Sequence, residues 1–231
     1  MTRDAALRGQ LHLLQPLRGY RYTVDPLLLV DFVVETAKSH RGPLQLVDLG
    51  AGCGVLGLAL LRRLPTARLT AVELQPRLAE LARRNAVGNG MEDRTTVVEL
   101  DVADPKQAKR VAGGRFDWVV SNPPYGAIGR GATSPDEESA IARHELRLPL
   151  QRLCQEMKRM LRPEGMGAVI YPAARLSELL SALTSVGLAA RRLKAIHPRA
   201  GEPATRVMLS FQKKKAQGAM VLEPPLMEHP R

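Results

Sequence analysis

Aromatic residues and cysteines are scarce in this chain of 231 residues, and long apolar runs are missing. Aromatic residues make up 3% of the sequence, although the apolar content of 45% is ordinary for a globular protein. No run of about 18 uncharged apolar residues occurs, so neither a membrane-spanning helix nor a membrane partner is expected. The first residues contain neither a long apolar core nor a small-residue cleavage site, so export is not expected either.

The two cysteines, Cys53 and Cys154, have neither the spacing of a metal site nor that of a disulfide framework. They fit a reducing compartment, and the cytoplasm is the expected location.

Positive charge is in excess: the chain has 34 Lys and Arg residues but 23 Asp and Glu residues, which gives a net charge of +11. Such an excess favours a polyanionic partner, of which nucleic acid is the usual one, although a generally basic surface also accounts for it. No separate Lys- and Arg-rich arm is present, so a nucleic acid must dock on the folded domain itself.

Short apolar runs alternate with amphipathic segments along most of the chain, which predicts a parallel sheet with helices on both faces. The last two predicted strands have only a Pro- and Gly-containing loop between them, so they should form an antiparallel hairpin at one end of the sheet. Seven strands in this arrangement predict an α/β, Rossmann-like class I methyltransferase fold. The predicted strands are 44–49, 68–73, 95–100, 116–121, 166–171, 188–196 and 205–212, and the predicted helices are 27–36, 54–64, 76–87, 105–111, 145–161 and 174–186.

The chain 1–231 is expected to form one domain. Residues 1–24 are predicted to be an arm or short hairpin, 44–212 the catalytic core, and 216–231 an irregular tail. Asp25 is predicted to cap the first helix, with Pro26 at its first position.

Three glycines, Gly50, Gly52 and Gly54, follow Asp48 at a predicted turn from strand to helix. Glycine permits positive φ angles and lets a ligand approach the backbone closely. A dinucleotide-binding fold is the alternative, but the third glycine of that pattern is replaced by Val55, and such glycine patterns are weak on their own.

Acidic residues follow or end three successive predicted strands, beside this turn. Asp48 can hold the loop or bind the amino group of a methionine-like ligand, Glu73 can bind two ribose hydroxyls, and Asp101 can accept from an adenine amine. Each residue alone can equally be a helix cap or a solvated strand end. Together they suit a cationic sulfonium nucleoside better than a pyrophosphate, which favours S-adenosylmethionine as the cofactor.

The tetrapeptide Asn122-Pro123-Pro124-Tyr125 follows the buried run 116–121. Its prolines end the strand, because proline lacks the N–H that a sheet needs. The Asn122 amide oxygen and the Pro123 carbonyl can accept both protons of a planar amine, while Tyr125 stacks on the ring that carries it. The alternative is an ordinary Pro-Pro turn. The tetrapeptide therefore predicts the catalytic site of an amino methyltransferase, with Asn122 also near the cofactor.

Four segments resemble the bacterial valine-tRNA adenine-37 N6-methyltransferase family: VDLGAGCGVLGLAL, AVELQPRLAELARRNAVGNG, DWVVSNPPYG and QPLRGYRYTVDPLLL. The resemblance implies a single methyltransferase domain that transfers a methyl group from S-adenosylmethionine to N6 of an anticodon-loop adenine. It implies tRNA as the RNA partner, with no DNA. Because the methyl group leaves a sulfonium, the reaction needs no metal.

Candidate contacts to the RNA lie outside these catalytic positions. The alternating residues Tyr20, Arg21 and Tyr22 can place two rings on one face of an extended arm, although ordinary packing explains them equally. The charged candidates, which have solvated charge as their alternative, are Arg130, Arg143, Lys213, Lys214 and Lys215.

Three other functions remain open from the residues alone. The Asn-Pro-Pro-Tyr motif also serves N2-guanine methyltransferases of ribosomal RNA and N5-methyltransferases of protein glutamine. A non-catalytic RNA-binding protein that binds S-adenosylmethionine is the alternative from another class, but such a protein has no need of an amine-binding motif.

Overall fold

Eleven strands and six α-helices are present in the computed structural model, which describes residues 1–17, 23–38, 42–111, 113–123, 148–213 and 219–228. Two single-turn 3-10 helices, Glu92–Arg94 and Ala173–Arg175, add to them. In chain order the elements are β1 (Thr2–Ala6), β2 (Leu11–Gln15), α1 (Asp25–Ala37), β3 (Gln45–Leu49), α2 (Val55–Arg63), β4 (Arg68–Glu73), α3 (Pro76–Gly88), β5 (Thr95–Glu99), α4 (Pro105–Ala108), β6 (Phe116–Ser121), α5 (Leu150–Met160), β7 (Leu161–Pro172), α6 (Leu176–Ser185), β8 (Ala189–His197), β9 (Arg206–Gln212), β10 (Val221–Leu222) and β11 (Leu226–Met227).

Seven strands form the core of the sheet in the order β8-β9-β7-β6-β3-β4-β5. Strand β9 runs antiparallel to both of its neighbours, and the other six are parallel. The predicted fold class is therefore confirmed, including the hairpin of β8 and β9 at one end of the sheet. The strand order reverses between β3 and β6, and open α/β sheets bind ligands at the carboxyl ends of the strands at such a point.

Helices pack on both faces of the sheet, and alternate residues of the central strands supply the two cores. Leu46 and Trp118 pack on the side of α1 and α2, whereas Val47 and Val119 pack on the side of α5 and α6. All six residues of β6 are buried, as expected for a central strand of a parallel sheet. Within the described ranges, no helix is long and apolar enough to cross a membrane.

Most predicted element ends differ from the structure by a few residues, such as the helix predicted over 105–111, which ends at Ala108, and two differences concern the site's surroundings. Helix α5 ends at Met160, and β7 begins at the next residue rather than at Met166, because Leu161 pairs with Phe116 ahead of a register shift in β6. Asp25 does not cap α1: it is the first helical residue, no side chain caps this helix, and its carboxylate pairs with Arg206 instead.

The two ends of the described chain both form strands. β1 and β2 make the hairpin expected within residues 1–24. The tail, predicted to be irregular, contributes β10 and β11, which extend the sheet by pairing in parallel with β8. Glu223 in the tail forms ion pairs with Arg192 and Lys194 of β8. Each tail strand has two residues, which is too short for a hydrophobic period to reveal it.

Candidate active site

A small, open cavity lies at the carboxyl ends of β3 and β6, where the strand order reverses. The buried hydroxyl of Ser121 donates a 2.6 Å hydrogen bond to the carbonyl of Leu49, and this bond joins the last residues of the two strands. The cavity is lined by Pro26, Asp48, Gly50, Ala51, Gly52, Cys53, Val55, Leu56 and Asn122.

The glycine turn, residues 50–54, forms one wall of this cavity. Gly50, Gly52 and Gly54 have φ angles of 75°, 59° and 89°, a region that strains any residue with a side chain. At Gly54 there is also little space, because a Cβ atom would lie 3.3 Å from Cβ of Ala82 in α3. The backbone conformation therefore favours glycine at all three positions, and at Gly54 the close packing favours it as well.

Glu73, at the end of β4, is buried beside the turn and holds it in place. Its Oε2 accepts a 2.8 Å hydrogen bond from the Gly52 amide, and its Oε1 accepts one of 2.8 Å from the Gln75 amide. Each carboxylate oxygen can accept a further bond. The sequence predicts a ligand contact for Glu73, with a helix cap or a solvated strand end as the alternative, and does not predict this bond to the turn.

Asp48 presents a buried carboxylate to the cavity. Its Oδ2 accepts a 3.1 Å hydrogen bond from the Gly57 amide, whereas its Oδ1 has no hydrogen-bond partner in the described part of the chain. Burial raises the pKa of Asp48 to about 7; the Gly57 bond lowers it and the charge of Glu73 raises it further. The unpartnered oxygen is suited to a cationic or proton-donating ligand.

Asp101 follows β5, the strand next to β4, and the Leu100 amide donates to the carbonyl of Glu73. The Asp101 carboxylate is half-buried, and its Oδ1 accepts a 2.8 Å hydrogen bond from the Ala103 amide. The three predicted acids therefore lie just before, at and just after the carboxyl ends of three adjacent strands. Of the three, Asp48 contributes to the cavity wall.

Asn122 and Pro123 follow β6 directly and are half-buried, and Asn122 lines the cavity. The structure thus brings the first residue of the predicted amine-binding motif to the same cavity as Asp48. Pro124 and Tyr125 lie outside the described residues. The same holds for most of the predicted RNA contacts, namely Tyr20, Arg21, Tyr22, Arg130, Arg143, Lys214 and Lys215.

Lys213 is described, and the structure does not bring it to the cavity. Strand β9 runs antiparallel to β7, so its last residue, Gln212, pairs with Met166 and points the chain toward the amino edge of the sheet. The ammonium of Lys213 donates a 2.6 Å hydrogen bond to the carbonyl of Leu161. Partial burial and the nearby charge of Lys158 lower the pKa of Lys213. The RNA contact at Lys213 stays a prediction, and this bond argues against it, because one of the three N–H donors of the ammonium is already used within the fold.

Pro26 is a cavity residue that sequence analysis missed. The sequence predicts it only as a helix start, although α1 places it against the cavity.

Arg206 in β9 forms ion pairs with Asp25 at the start of α1 and with Glu228 in the tail. Arg206 and Asp25 are 181 residues apart in sequence, and no local pattern signals such a contact.

The strand order, the antiparallel β9 and the glycine turn beside acidic strand ends define a class I S-adenosylmethionine-dependent methyltransferase. The residues present fit this cofactor, because the open acceptor of Asp48 suits its cationic ammonium group and the turn leaves the backbone accessible. The chain belongs to the family of tRNA1(Val) (adenine(37)-N6)-methyltransferases, as its sequence relatives show. S-adenosylmethionine is its cofactor.

Comparison with known proteins supports both the methyltransferase class and the family. Residues 28–140 match the family model described as Methyltransferase small domain. The tRNA1(Val) (adenine(37)-N6)-methyltransferase of Porphyromonas gingivalis is 35% identical over 176 residues, which are 76% of this chain and 68% of that protein. The protein of the same name from Aeromonas hydrophila is 33% identical over 182 residues, or 77% and 74% of the two chains. A solved structure of a predicted O-methyltransferase from Agrobacterium tumefaciens has a TM-score of 0.70 and 25% identity, and covers 89% of this chain and 88% of that one.

Proposed function

We propose that this chain, as a single methyltransferase domain over 1–231, methylates the exocyclic N6 amine of an adenine in RNA, with adenine-37 of a valine tRNA as the target. The observation that carries the proposal is the position of Asn122 and Pro123 at the end of β6, in and beside the cavity that the glycine turn and Asp48 form. The tRNA named for the relatives supports the choice of target.

The cofactor half of the site is assigned to residues of three strand ends. Asp48 accepts from the ammonium group of the cofactor, Glu73 from the ribose hydroxyls and Asp101 from the adenine amine. Gly50, Gly52 and Gly54 keep the backbone open to the ligand. When bound, S-adenosylmethionine supplies a methyl group on a positively charged sulfur.

The amine half of the site activates a poor nucleophile. An adenine amine is planar and conjugated, so its lone pair is not available for attack. Acceptors at Asn122 Oδ1 and Pro123 O hold both amine protons and favour a pyramidal nitrogen with its lone pair directed at the methyl group. This interaction is stronger in the transition state than in the ground state, which is the requirement for catalysis. The remaining contribution is alignment of the reacting atoms.

The RNA must present a base that has left its stack, as RNA-binding sites for single bases require. Pro124 and Tyr125 are proposed to contact this base. Tyr20, Arg21 and Tyr22 are proposed to contact the bound ligands from the arm, and Arg130, Arg143, Lys214 and Lys215 to contact phosphates.

Transfer of tritium from S-adenosylmethionine tests the proposal when total tRNA, ribosomal RNA and protein are offered separately and the labelled product is hydrolysed. The expected result is label in tRNA, recovered as N6-methyladenosine. Label recovered as N2-methylguanosine from ribosomal RNA, or as methylglutamine from protein, would contradict the proposed substrate. Cofactor binding without transfer to any fraction would favour a non-catalytic binding protein.

A further inference from the structure

Asn85 in α3 has a buried carboxamide, 1% exposed, that contacts two separate segments of the chain. Its Oδ1 accepts a 2.7 Å hydrogen bond from the Leu14 amide, and its Nδ2 donates one of 3.0 Å to the Leu14 carbonyl. The same Nδ2 donates a 2.9 Å hydrogen bond to the carbonyl of Cys53. One side chain therefore joins the N-terminal hairpin to the glycine turn.

Asn89 repeats the hairpin half of this arrangement one helical turn later. Its Oδ1 accepts from the His12 amide at 3.0 Å, and its Nδ2 donates to the His12 carbonyl at 2.7 Å. Two residues of a strand span about 6.6 Å and four residues of a helix about 6 Å, so the two carboxamides match alternate residues of β2. Its Nδ2 also donates a 2.7 Å hydrogen bond to the Asn85 carbonyl within the helix. Among the residues that the structure describes, Asn89 makes no hydrogen bond to the glycine turn, and a test can use this difference.

Apolar packing links the same three segments. Cys53, Leu78 and Leu81 form a small buried cluster, and Leu14 of the hairpin packs against it. The close approach of Gly54 to Ala82 places the second half of the turn on the same face of α3 as Asn85. Strand β4 holds only the first half, through bonds from Gly50 and Ala51 to the Val72 carbonyl and from Gly52 to Glu73.

We propose that Asn85 is a positioning residue for the cofactor site. Its bond to the Cys53 carbonyl keeps the second half of the glycine turn in the shape that receives the ligand, and docking of the β1–β2 hairpin fixes the carboxamide that makes this bond. Hairpin docking and cofactor affinity are therefore coupled through one side chain. The proposal rests on the cofactor cavity and is independent of which RNA base is methylated.

The two cysteines provide a direct test in the protein without ligand. Cys53 in the turn is 7% exposed and Cys154 in α5 is 1% exposed, and they are the only cysteines of the chain. Burial raises the pKa of the Cys53 thiol to about 11 and that of Cys154 to about 12, so both should react slowly with a thiol reagent. Cys154 reports global opening, whereas Cys53 also reports opening of the turn.

Asn85→Ala is compared with Asn89→Ala, which loses the same kind of bonds to the hairpin but none to the turn. For Asn85→Ala we expect Cys53 to label about tenfold faster with Cys154 unchanged, and the Kd for S-adenosylmethionine to rise about tenfold, as for the loss of one buried hydrogen bond. For Asn89→Ala both quantities should stay within about twofold of the unmodified protein.

Unchanged labelling of Cys53 and unchanged cofactor affinity in Asn85→Ala would overturn the proposal, as would equal effects of the two variants. If both cysteines of Asn85→Ala react at the unfolded rate, Asn85→Asp replaces it. Aspartate keeps the side-chain shape and the acceptor for the Leu14 amide, but not the amide donor to the carbonyls of Leu14 and Cys53. Equal acceleration of both cysteines in that variant would also overturn it.

Discussion

The hydroxyl of Ser121 and the carbonyl of Leu49 are joined by a buried 2.6 Å hydrogen bond across 72 residues of sequence. It ties the carboxyl ends of β6 and β3 at the point where the strand order reverses. Asn122 follows one of these residues and Gly50 the other, so the bond fixes the spacing between the proposed amine-binding and cofactor-binding halves of the site.

Ser121→Ala should therefore destabilise the fold. It removes a buried hydrogen bond to the Leu49 carbonyl, which costs about 0.5–1.5 kcal/mol. Ser210→Ala is the matched control, since Ser210 is also a fully buried strand serine but its hydroxyl has no hydrogen-bond partner in the described part of the chain. Its removal should be neutral or stabilising, because burying an unpaired hydroxyl is unfavourable. Urea unfolding of both variants measures the difference; equal losses of stability would refute this explanation.

Asp48→Asn should stabilise the ligand-free protein more at pH 8 than at pH 5. The pKa of Asp48 is raised from 3.8 to about 7, so between these values the folded state binds more protons than the unfolded state. The contribution of Asp48 to the free energy of unfolding consequently falls as pH rises from about 4 to about 7, and is constant above that. One pKa unit corresponds to about 1.4 kcal/mol, so the gain on substitution is on the order of a few kcal/mol.

Denaturant unfolding of the two proteins at both pH values measures this gain. The difference between the variants isolates Asp48, because every other titrating group is shared. A smaller gain at pH 8 than at pH 5 would have the wrong sign for a carboxylate whose pKa is raised by burial.

Cofactor affinity should increase as pH rises from about 5.5 to about 7. In the proposed site, the ammonium group of the cofactor requires the ionised form of Asp48, whose pKa burial raises to about 7. Affinity then falls up to about tenfold for each pH unit below that value. Calorimetric titration up to about pH 7.5 is suitable, since an α-amino group loses its own proton at about 7.7–8.0.

Two controls accompany this titration. Asp48→Asn should bind more weakly and lose the pH dependence. Methylthioadenosine, which lacks the amino acid part of the cofactor, should bind the unmodified protein with little pH dependence in the same range. A pH dependence that persists in both controls would show that another group is responsible.

Lys213→Ala should leave the salt dependence of RNA binding unchanged. A lysine that contacts a phosphate adds about one to the slope of log K against log salt concentration. Lys213 instead donates to the Leu161 carbonyl at the edge of the sheet opposite the cavity. Filter binding of tRNA at several salt concentrations measures the slope. A decrease of about one unit in the variant would show that Lys213 contacts the RNA.

The sequence predicted the sheet and the site residues whose signal is local. The seven core strands, the glycine turn and Asn122 each carry a pattern within about ten residues, such as alternating elements or prolines after a buried run. The tail strands β10 and β11 escaped prediction because two residues cannot show a period.

Contacts between segments far apart in the sequence could not be predicted either. The bonds of Asn85 to Leu14 and Cys53, and that of Ser121 to Leu49, join positions that only the folded chain brings together. An asparagine in a helix and a serine in a strand carry no sign of their partners. Likewise, the lysines at 213–215 predict charge, but not that the first of them is used inside the fold.

Methyl transfer to a valine tRNA transcript with adenine at position 37, compared with the same transcript carrying guanine there, is the sharpest test of the proposed reaction. We expect N6-methyladenosine in the first transcript and no transfer to the second. We also expect Asn122→Ala to lose transfer by about 100-fold or more while its cofactor affinity is retained. Equal methylation of both transcripts, or an Asn122→Ala variant that keeps most of its activity, would contradict the proposed reaction.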